Sequence, residues 1–296
     1  MSDPKILITG ANGQLGTELR RLSTFHSGFE FLFATKEDLP IDKPWSINYF
    51  FNRYQPQYCI NCAAYTAVDK AESERELAFK INSEAVGMLA DACRKQETAF
   101  IHISSDYVFD GMTKTAYTEK SPKNSVGVYG LSKSEGEALA LENNQRTIII
   151  RSSWVYSAFG KNFVKTMLSL MNEKSEINVV NDQWGSPTYA ADLAETILQV
   201  ISSTVKKSTP DVWGIYHYSN EGIITWYEFA NAIKELSGLN CKINAVSSEQ
   251  YPTAAKRPAY SVLDTTKIQK TFNIQLKNWK ESLAVCLRQI ENAQAR

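Results

Sequence analysis

The chain has 296 residues, enough for one large domain or two modest ones. Its 32 basic and 32 acidic residues cancel, so the composition favours neither a nucleic acid polymer nor an anionic membrane surface as a partner. No apolar run approaches the roughly 20 residues that cross a bilayer, and no signal peptide is expected at the N-terminus. Five cysteines, an odd number, favour a reducing compartment, and we expect a cytoplasmic protein.

Apolar strand segments and helical segments alternate along the first half of the chain. Strands are predicted at residues 6–8, 29–34, 59–62, 100–104 and 147–150, and helices at 15–22, 46–54, 75–94 and 133–142. The second half is less regular. It contains predicted helices at 162–171, 190–200 and 226–236, strands at 177–180 and 215–218, and a surface loop at 205–211.

Near-continuous apolar strands that alternate with helices are typical of a parallel sheet covered on both faces. We therefore expect an α/β fold: a Rossmann-like, doubly wound parallel sheet over residues 1–154, with a smaller C-terminal α/β substrate-binding lobe. That lobe comes mainly from residues 155–296. The segment 188–218 is expected to rejoin the first domain, so one cut in the sequence only approximates the boundary.

A glycine-rich turn, Gly10-x-x-Gly13-x-x-Gly16, follows the first strand and opens the first helix. Glycines permit close backbone approach, and a helix N-terminus offers free N–H groups to a pyrophosphate. The spacing differs from the usual dinucleotide fingerprint, but the strand–turn–helix context fits. After the second strand, Asp38 is a candidate ribose ligand and Lys36 a candidate partner for a 2′-phosphate. Both are equally well explained as solvated loop charges.

A candidate catalytic set follows further along the chain. Ser105 lies at the C-terminal end of a predicted strand, the edge at which open α/β sheets bind ligands. Tyr129 and Lys133 are spaced i and i+4, so they share one face of a helix. Reduction of a ketone by hydride leaves an alkoxide that needs a proton, and a tyrosine whose pKa is lowered by a nearby ammonium can supply it. A serine hydroxyl can hold the same oxygen.

The remaining reactive residues, the cysteines and histidines, are interpreted as parts of the structure and not as catalytic or metal-binding groups. Cys59 and Cys62 form a C-x-x-C spacing on a predicted strand, where they point to opposite faces, and they are interpreted as core residues. Of the scattered histidines, His102 lies within an apolar strand and is interpreted as a core residue or a support for the site. No metal site is predicted.

The motifs together resemble the dTDP-4-dehydrorhamnose reductase family of the extended short-chain dehydrogenase/reductase superfamily, over nearly the whole chain. The most specific string is A-A-Y-T-A-V-D-x-A-E at residues 63–72. Further matches are the glycine turn, S-S-D-Y-V-F-D-G at 104–111, the Tyr129/Lys133 pair, R-S-S-W-V-Y at 151–156, D-Q-W-G-S-P-T at 182–188 and Arg257-Pro258.

The resemblance implies NADPH- or NADH-dependent reduction of the C4 keto group of dTDP-4-dehydro-β-L-rhamnose, the last step of dTDP-L-rhamnose synthesis. It makes Tyr129 the proton donor and Lys133 its pKa partner and a ribose contact, with Ser105 beside them. It implies that the substrate is bound by Val68, Ser105, Asp106, Trp154 and Arg257. The implied cofactor residues are Gly10, Asn12, Gly13, Gln14, Leu15, Gly16, Ala63, Ala64, Tyr65 and Thr66, with Tyr129 and Lys133; Lys36 and Asp38 remain candidates.

Some positions depart from the family pattern. Leu39-Pro40-Ile41 stands where the family often has an acidic residue, so the adenosine contacts there stay open, as does the choice between NADH and NADPH. Glu18 matches one ligand of a magnesium ion that some members share across a dimer, but Ala191 replaces a second, and no such metal is expected. A monomer or homodimer fits equally well. The alternatives are a reductase or epimerase of another nucleotide sugar and a regulatory subunit that binds NADP without turnover.

Overall fold

The computed structural model describes residues 3–206 and 212–294. Its strands are β1 (Lys5–Thr9), β2 (Glu30–Ala34), β3 (Tyr58–Asn61), β4 (Ala99–Ser105), β5 (Thr147–Ser152), β6 (Val155–Tyr156), β7 (Glu176–Val180), β8 (Trp184–Gly185), β9 (Thr188–Tyr189), β10 (Gly214–Tyr218), β11 (Ile224–Thr225) and β12 (Lys242–Val246). Its α-helices are α1 (Gln14–Ser23), α2 (Pro44–Tyr54), α3 (Val68–Ala71), α4 (Arg75–Phe79), α5 (Ala85–Lys95), α6 (Val128–Asn143), α7 (Phe163–Glu173), α8 (Ala190–Lys206), α9 (Trp226–Leu236), α10 (Thr266–Phe272) and α11 (Trp279–Gln294).

Six parallel strands form the central sheet in the order β10-β5-β4-β3-β1-β2. Alternate residues of each strand face opposite sides. Ile6 and Ile101 pack on one face in a cluster that includes side chains of α1 and α8, whereas Leu7 and Phe100 pack on the other face with side chains of α2 and α5. The chain reverses its winding direction between β1 and β3, which opens a crevice at the carboxyl edge of the sheet. The predicted α/β fold with a doubly wound parallel sheet is confirmed.

A second core lies among the later elements. Small two-stranded sheets, β7 with β12, β6 with β9 and β8 with β11, combine with α7, α9 and α11. Val164, Ile177, Phe229 and Leu283 are buried together in this core. β10, although late in the sequence, pairs with β5 at the edge of the central sheet, and α8 packs against α1. The later half of the chain therefore contributes to both cores.

Several local predictions are corrected. The predicted continuous helix at 75–94 is interrupted by a π-turn at Lys80–Glu84, and the helix predicted from residue 133 begins at Val128. The loop predicted at 205–211 is wrong at its start, because α8 extends through Lys206; residues 207–211 lie outside the described residues. Cys59 is buried and Cys62 half-buried, and both thiols are free. Among the described helices, none combines the length and apolar character that a membrane span needs.

Candidate active site

The glycine turn between β1 and α1 is shaped by its own backbone. Gly10 adopts φ +62°, and a Cβ there would lie 2.7 Å from the backbone nitrogen of Ala63. Only glycine fits this approach of the turn to the loop after β3. Gly13 precedes α1 and supplies no side-chain cap, which leaves N–H groups of the first helical turn available to an anion. The residues therefore fit a dinucleotide pyrophosphate.

Ser105 and Asp106 lie where β4 ends. The Ser105 hydroxyl donates to Oδ1 of Asp106 at 2.8 Å and accepts from the backbone N–H of Tyr107 at 3.2 Å. Oδ2 of Asp106 is buried and has no hydrogen-bond partner among the described residues. Burial raises the pKa of Asp106 to about 6, against the opposing effect of its hydrogen bonds. Because Oδ2 of this buried carboxyl has no partner in the part of the chain that the structure describes, it is suited to accept a hydrogen bond from a substrate hydroxyl.

Tyr129 and Lys133 both lie in the first turns of α6. The helix approaches the turn after β4 closely, because a Cβ at Gly130 would lie 2.0 Å from the carbonyl oxygen of Tyr107. Tyr129 packs edge-on against the Tyr107 ring, with the two centroids 5.4 Å apart. Burial raises the pKa of Tyr129 well above its usual range, while hydrogen bonding with Ser105 acts in the opposite direction. The side chain is therefore a protonated phenol at neutral pH.

Lys133 is buried and turned toward β4. Its Nζ donates to the carbonyl oxygen of Ile103 at 2.6 Å and lies 3.3 Å from Nε2 of His102. Burial lowers the pKa of Lys133 to about 8, although Glu137 favours the ammonium. A modest change in surroundings is therefore enough to change the charge of this side chain near physiological pH.

Asn82, in the π-turn, was not identified from the sequence. Its side chain accepts from the backbone N–H of Tyr65 at 2.9 Å, and donates to the carbonyl oxygen of Tyr65 at 3.0 Å and to the Ser132 hydroxyl at 3.1 Å. It thus ties the loop that contains Ala63, Ala64, Tyr65 and Thr66 to α6. The sequence carries no local signal for this role, and only the π-turn in the structure points to it, since such turns are common at functional sites.

Trp154 lies between β5 and β6 with φ +48°, a value that is rare for a bulky residue and that tends to occur at functional sites. Its ring stacks on Trp226, with centroids 3.6 Å apart and an interplanar angle of 11°. Gly185 also leaves room for the indole, because a Cβ there would lie 2.5 Å from the ring. Trp154 is half-buried, so part of it faces the solvent.

Arg257 is paired within the chain. Its Nη1 donates to the Tyr107 hydroxyl at 2.9 Å, and its Nη2 donates to Oδ2 of Asp69 at 2.5 Å. Oδ1 of the same carboxylate accepts from the backbone N–H of Ala255 at 3.0 Å. Asp69 adjoins Val68 at the start of α3, so the arginine is brought to the segment predicted to contact the substrate.

The two candidate adenosine contacts differ. The Asp38 carboxylate accepts from the backbone N–H of Thr35 at 3.0 Å and from its hydroxyl at 2.8 Å, which lowers the pKa of Asp38. Asp38 therefore stabilises its own loop. Lys36 is exposed and makes no hydrogen bond or ion pair within residues 3–206 and 212–294.

Across the cleft, Gln14 at the start of α1 accepts from the Asn162 side chain at 2.9 Å, so the glycine turn touches the second lobe. Glu18 is also buried. It accepts from the Ser157 hydroxyl at 2.9 Å and from Nε of Arg21 at 2.9 Å. Both carboxylate oxygens of Glu18 are thus used within the chain, and Ala191 is buried in the second core.

The chain is similar in sequence and in fold to known dTDP-4-dehydrorhamnose reductases. A family model described as RmlD substrate binding domain matches residues 4–292. A dTDP-4-dehydrorhamnose reductase of Aggregatibacter actinomycetemcomitans is 40% identical over 286 residues, covering 94% of this chain and 97% of that protein. The spore coat polysaccharide biosynthesis protein SpsK of Bacillus subtilis is 42% identical over 289 residues, covering 98% and 99%. A solved dTDP-4-dehydrorhamnose reductase of Bacillus anthracis in complex with NADP has a TM-score of 0.92 and 36% identity, covering 97% of this chain and 99% of that chain.

Proposed function

Because the chain belongs to the dTDP-4-dehydrorhamnose reductase family, we propose that it reduces the C4 keto group of dTDP-4-dehydro-β-L-rhamnose to dTDP-L-rhamnose. This is the last step of dTDP-rhamnose biosynthesis. The observation that carries the proposal is that Tyr129 interacts with Ser105, where β4 ends, and that Lys133 follows one turn later on α6 and bonds to β4. The glycine turn and the uncapped N-terminus of α1 support it.

NADPH or NADH supplies the hydride when bound. The residues that hold it are those of the glycine turn, Gly10, Asn12, Gly13, Gln14, Leu15 and Gly16, and those of the loop after β3, Ala63, Ala64, Tyr65 and Thr66. The Lys36 ammonium makes no hydrogen bond or ion pair with the described residues, so it is available to a 2′-phosphate. The Asp38 carboxylate, by contrast, accepts hydrogen bonds from Thr35. On this basis we propose NADPH as the preferred cofactor.

Tyr129 donates the proton to the C4 oxygen. Its raised pKa keeps the phenol protonated until negative charge develops on that oxygen. The Ser105 hydroxyl shares the developing charge, and an ammonium on Lys133 favours the phenolate that remains after proton transfer.

Substrate contacts surround this centre. Asp106 accepts from a sugar hydroxyl, and the exposed part of the Trp154 indole covers an apolar face of the sugar. Val68 and Arg257 lie on the route toward the nucleotide, where the guanidinium binds the diphosphate.

We assign cofactor binding to residues 1–154 together with about 188–218, and substrate binding mainly to 155–296. Because all five cysteines are free, we further propose a cytoplasmic location.

The test is the loss of absorbance near 340 nm with NADPH, and then with NADH, on addition of freshly made dTDP-4-dehydro-L-rhamnose. Rapid oxidation supports the proposal and ranks the cofactors. Oxidation only with a different nucleotide sugar would move the activity to that substrate. Tight cofactor binding without any oxidation would favour a non-catalytic regulatory subunit.

A further inference from the structure

A chain of polar side chains crosses the centre of the sheet beneath the active site. Oγ1 of Thr9 donates to Oδ1 of Asn61 at 2.6 Å, and Nδ2 of Asn61 lies 3.1 Å from Nδ1 of His102. Nε2 of His102 lies 3.3 Å from Nζ of Lys133. These four residues come from β1, β3, β4 and α6, and none is more than 2% exposed. Buried polar groups at this depth depend on one another for hydrogen bonds.

The protonation state of Lys133 limits how this chain can be arranged. An ammonium only donates, so Nε2 of His102 must then accept, and the ring proton must reside on Nδ1. A neutral amine can accept, and Nε2–H can then donate to it while Nδ1 accepts from Asn61. Asn61 suits both arrangements because its amide presents either oxygen or nitrogen to the ring with almost the same shape. The Thr9 hydroxyl can likewise donate or accept.

We propose that His102 is a positioning residue for Lys133, and that its neutral ring changes tautomer when Lys133 changes protonation state. The proposal rests on the reductase function above and deepens it, because Lys133 is the partner of the proton donor. His102 and Ile103 together fix two directions at Nζ, which leaves the third N–H of the ammonium for the active site. His102 acts through Lys133 and is not itself a catalytic residue.

The surrounding charges keep the imidazole neutral while Lys133 titrates. Burial, together with the charge of Lys133, lowers the pKa of His102 well below its usual value. From α6, Glu137 faces Lys133 and is itself paired with Arg151 of β5 at 2.7 Å and Lys123 at 3.4 Å. Asp106 and Tyr107, from the turn after β4, act on Tyr129. The group nearest Nε2 that can change charge is therefore Lys133.

The first test is nitrogen-15 NMR of the ring nitrogens of His102 in the full chain between about pH 6.5 and 9.5. The chain has three histidines, so His26→Phe and His217→Gln assign the remaining resonances. We expect the proton on Nδ1 at the low end and on Nε2 at the high end, with a midpoint near the Lys133 pKa of about 8. The same tautomer at both ends, or a doubly protonated ring, would overturn the proposal.

Lys133→Met is the matched control for that titration. It removes the titrating amine while keeping an unbranched side chain, so the tautomer of His102 should no longer change with pH. A tautomer change that persists in this variant would contradict the coupling. Neither experiment needs turnover, so both decide the role of His102 even if the protein reduces no nucleotide sugar.

Kinetics then test the consequence for the reaction. In His102→Phe the ammonium loses an acceptor, so kcat should be about tenfold lower near pH 8.5 and its decline with pH should begin at a lower pH. His102→Gln, which keeps an acceptor, should recover part of this loss, and the substrate KM should stay unchanged in both. His26→Phe, outside the polar chain, should match the unmodified protein. An unchanged pH profile in a folded His102→Phe would overturn the positioning role; inactivity of the unmodified protein would instead count against the reductase function.

Discussion

Asp69 and Arg257 form an ion pair at 2.5 Å although they are 188 positions apart in the chain. The carboxylate also accepts from the backbone of Ala255, and the guanidinium also reaches the Tyr107 hydroxyl at 2.9 Å. The pair therefore connects α3, beside the central sheet, to the segment that precedes α10. An anion already occupies the position in which we propose that a diphosphate binds.

Replacing Arg257 tests this assignment. Arg257→Met should weaken dTDP binding by about ten- to a hundredfold, because the guanidinium supplies charge-assisted hydrogen bonds to phosphate oxygens. Isothermal titration calorimetry measures the change. Thymidine, which lacks the diphosphate, is the control ligand, and its affinity should stay the same. An equal loss for thymidine and dTDP would place Arg257 away from the diphosphate.

Tyr129→Phe removes the proposed proton donor and little else. We expect kcat to fall by about 10²- to 10⁴-fold, the range that a positioned acid contributes. NADPH affinity, measured by fluorescence titration, should stay within about twofold, as should the thermal midpoint. Substantial remaining turnover would remove Tyr129 from the acid role.

The close contact between α6 and the turn after β4 predicts a steric effect. Gly130→Ala would push a methyl group into the carbonyl oxygen of Tyr107, which lies 2.0 Å from the added atom. We expect a loss of about 1–3 kcal/mol in the free energy of unfolding and at least a tenfold loss of kcat, since Tyr129 moves with the helix.

Gly28→Ala is the matched control for that change, because among the described residues no atom beyond its two chain neighbours lies within 4 Å of the added Cβ. Its unfolding free energy and kcat should equal those of the unmodified protein. If Gly130→Ala were equally harmless, α6 would not be held against the turn as the structure indicates.

The raised pKa of the buried Asp106 carboxyl predicts that the stability of the protein changes with pH. Its pKa is about 6 in the folded chain, above its usual value of 3.8, so the folded state binds this proton more tightly than the unfolded state. The ionised carboxylate therefore destabilises the folded state. This effect is absent below about pH 4, grows between about pH 4 and 6, and is complete above about pH 6. Asp106→Asn should therefore raise the unfolding free energy by about 3 kcal/mol at pH 7.5 and leave it nearly unchanged near pH 4.

Asp38→Asn should behave in the opposite direction. Hydrogen bonds from Thr35 lower the pKa of Asp38, so its carboxylate stabilises the loop at neutral pH and loses that effect in acid. Denaturant unfolding at the two pH values checks both variants. An Asp106→Asn protein that is less stable than the unmodified chain at pH 7.5 would contradict the burial argument.

The central sheet was predictable because its strands are short apolar runs bounded by turn residues, and the Tyr129/Lys133 spacing is a local property of one helix. The π-turn at Lys80–Glu84 was not predictable, since it is held by bonds from Asn82 to Tyr65, 17 positions earlier. β12 was also missed. Ile243 is the one buried residue of its segment Lys242–Val246, so the alternation of apolar and polar residues that predicts a strand is weak there.

The same limit applies to the site. Ser105, Tyr129 and Lys133 are visible in the sequence as residue types at recognisable spacings. The residues that hold the site side chains in place come from other parts of the chain. His102 and Asn61, behind Lys133, lie on neighbouring strands, and Asp69 is far in sequence from its partner Arg257. The positive φ of Trp154 depends on its tertiary surroundings and has no local sequence signal. Long-range pairings of this kind appear only once the fold is known.

The most direct test of the central claim is the fate of a labelled hydride. The protein is incubated with dTDP-4-dehydro-L-rhamnose and NADPH that carries deuterium at the transferred position, and the product is analysed by NMR. We predict dTDP-L-rhamnose with deuterium at C4 of the sugar, and no such product from Tyr129→Phe. Deuterium at another carbon, the epimeric alcohol at C4, or an unchanged keto sugar would contradict the account.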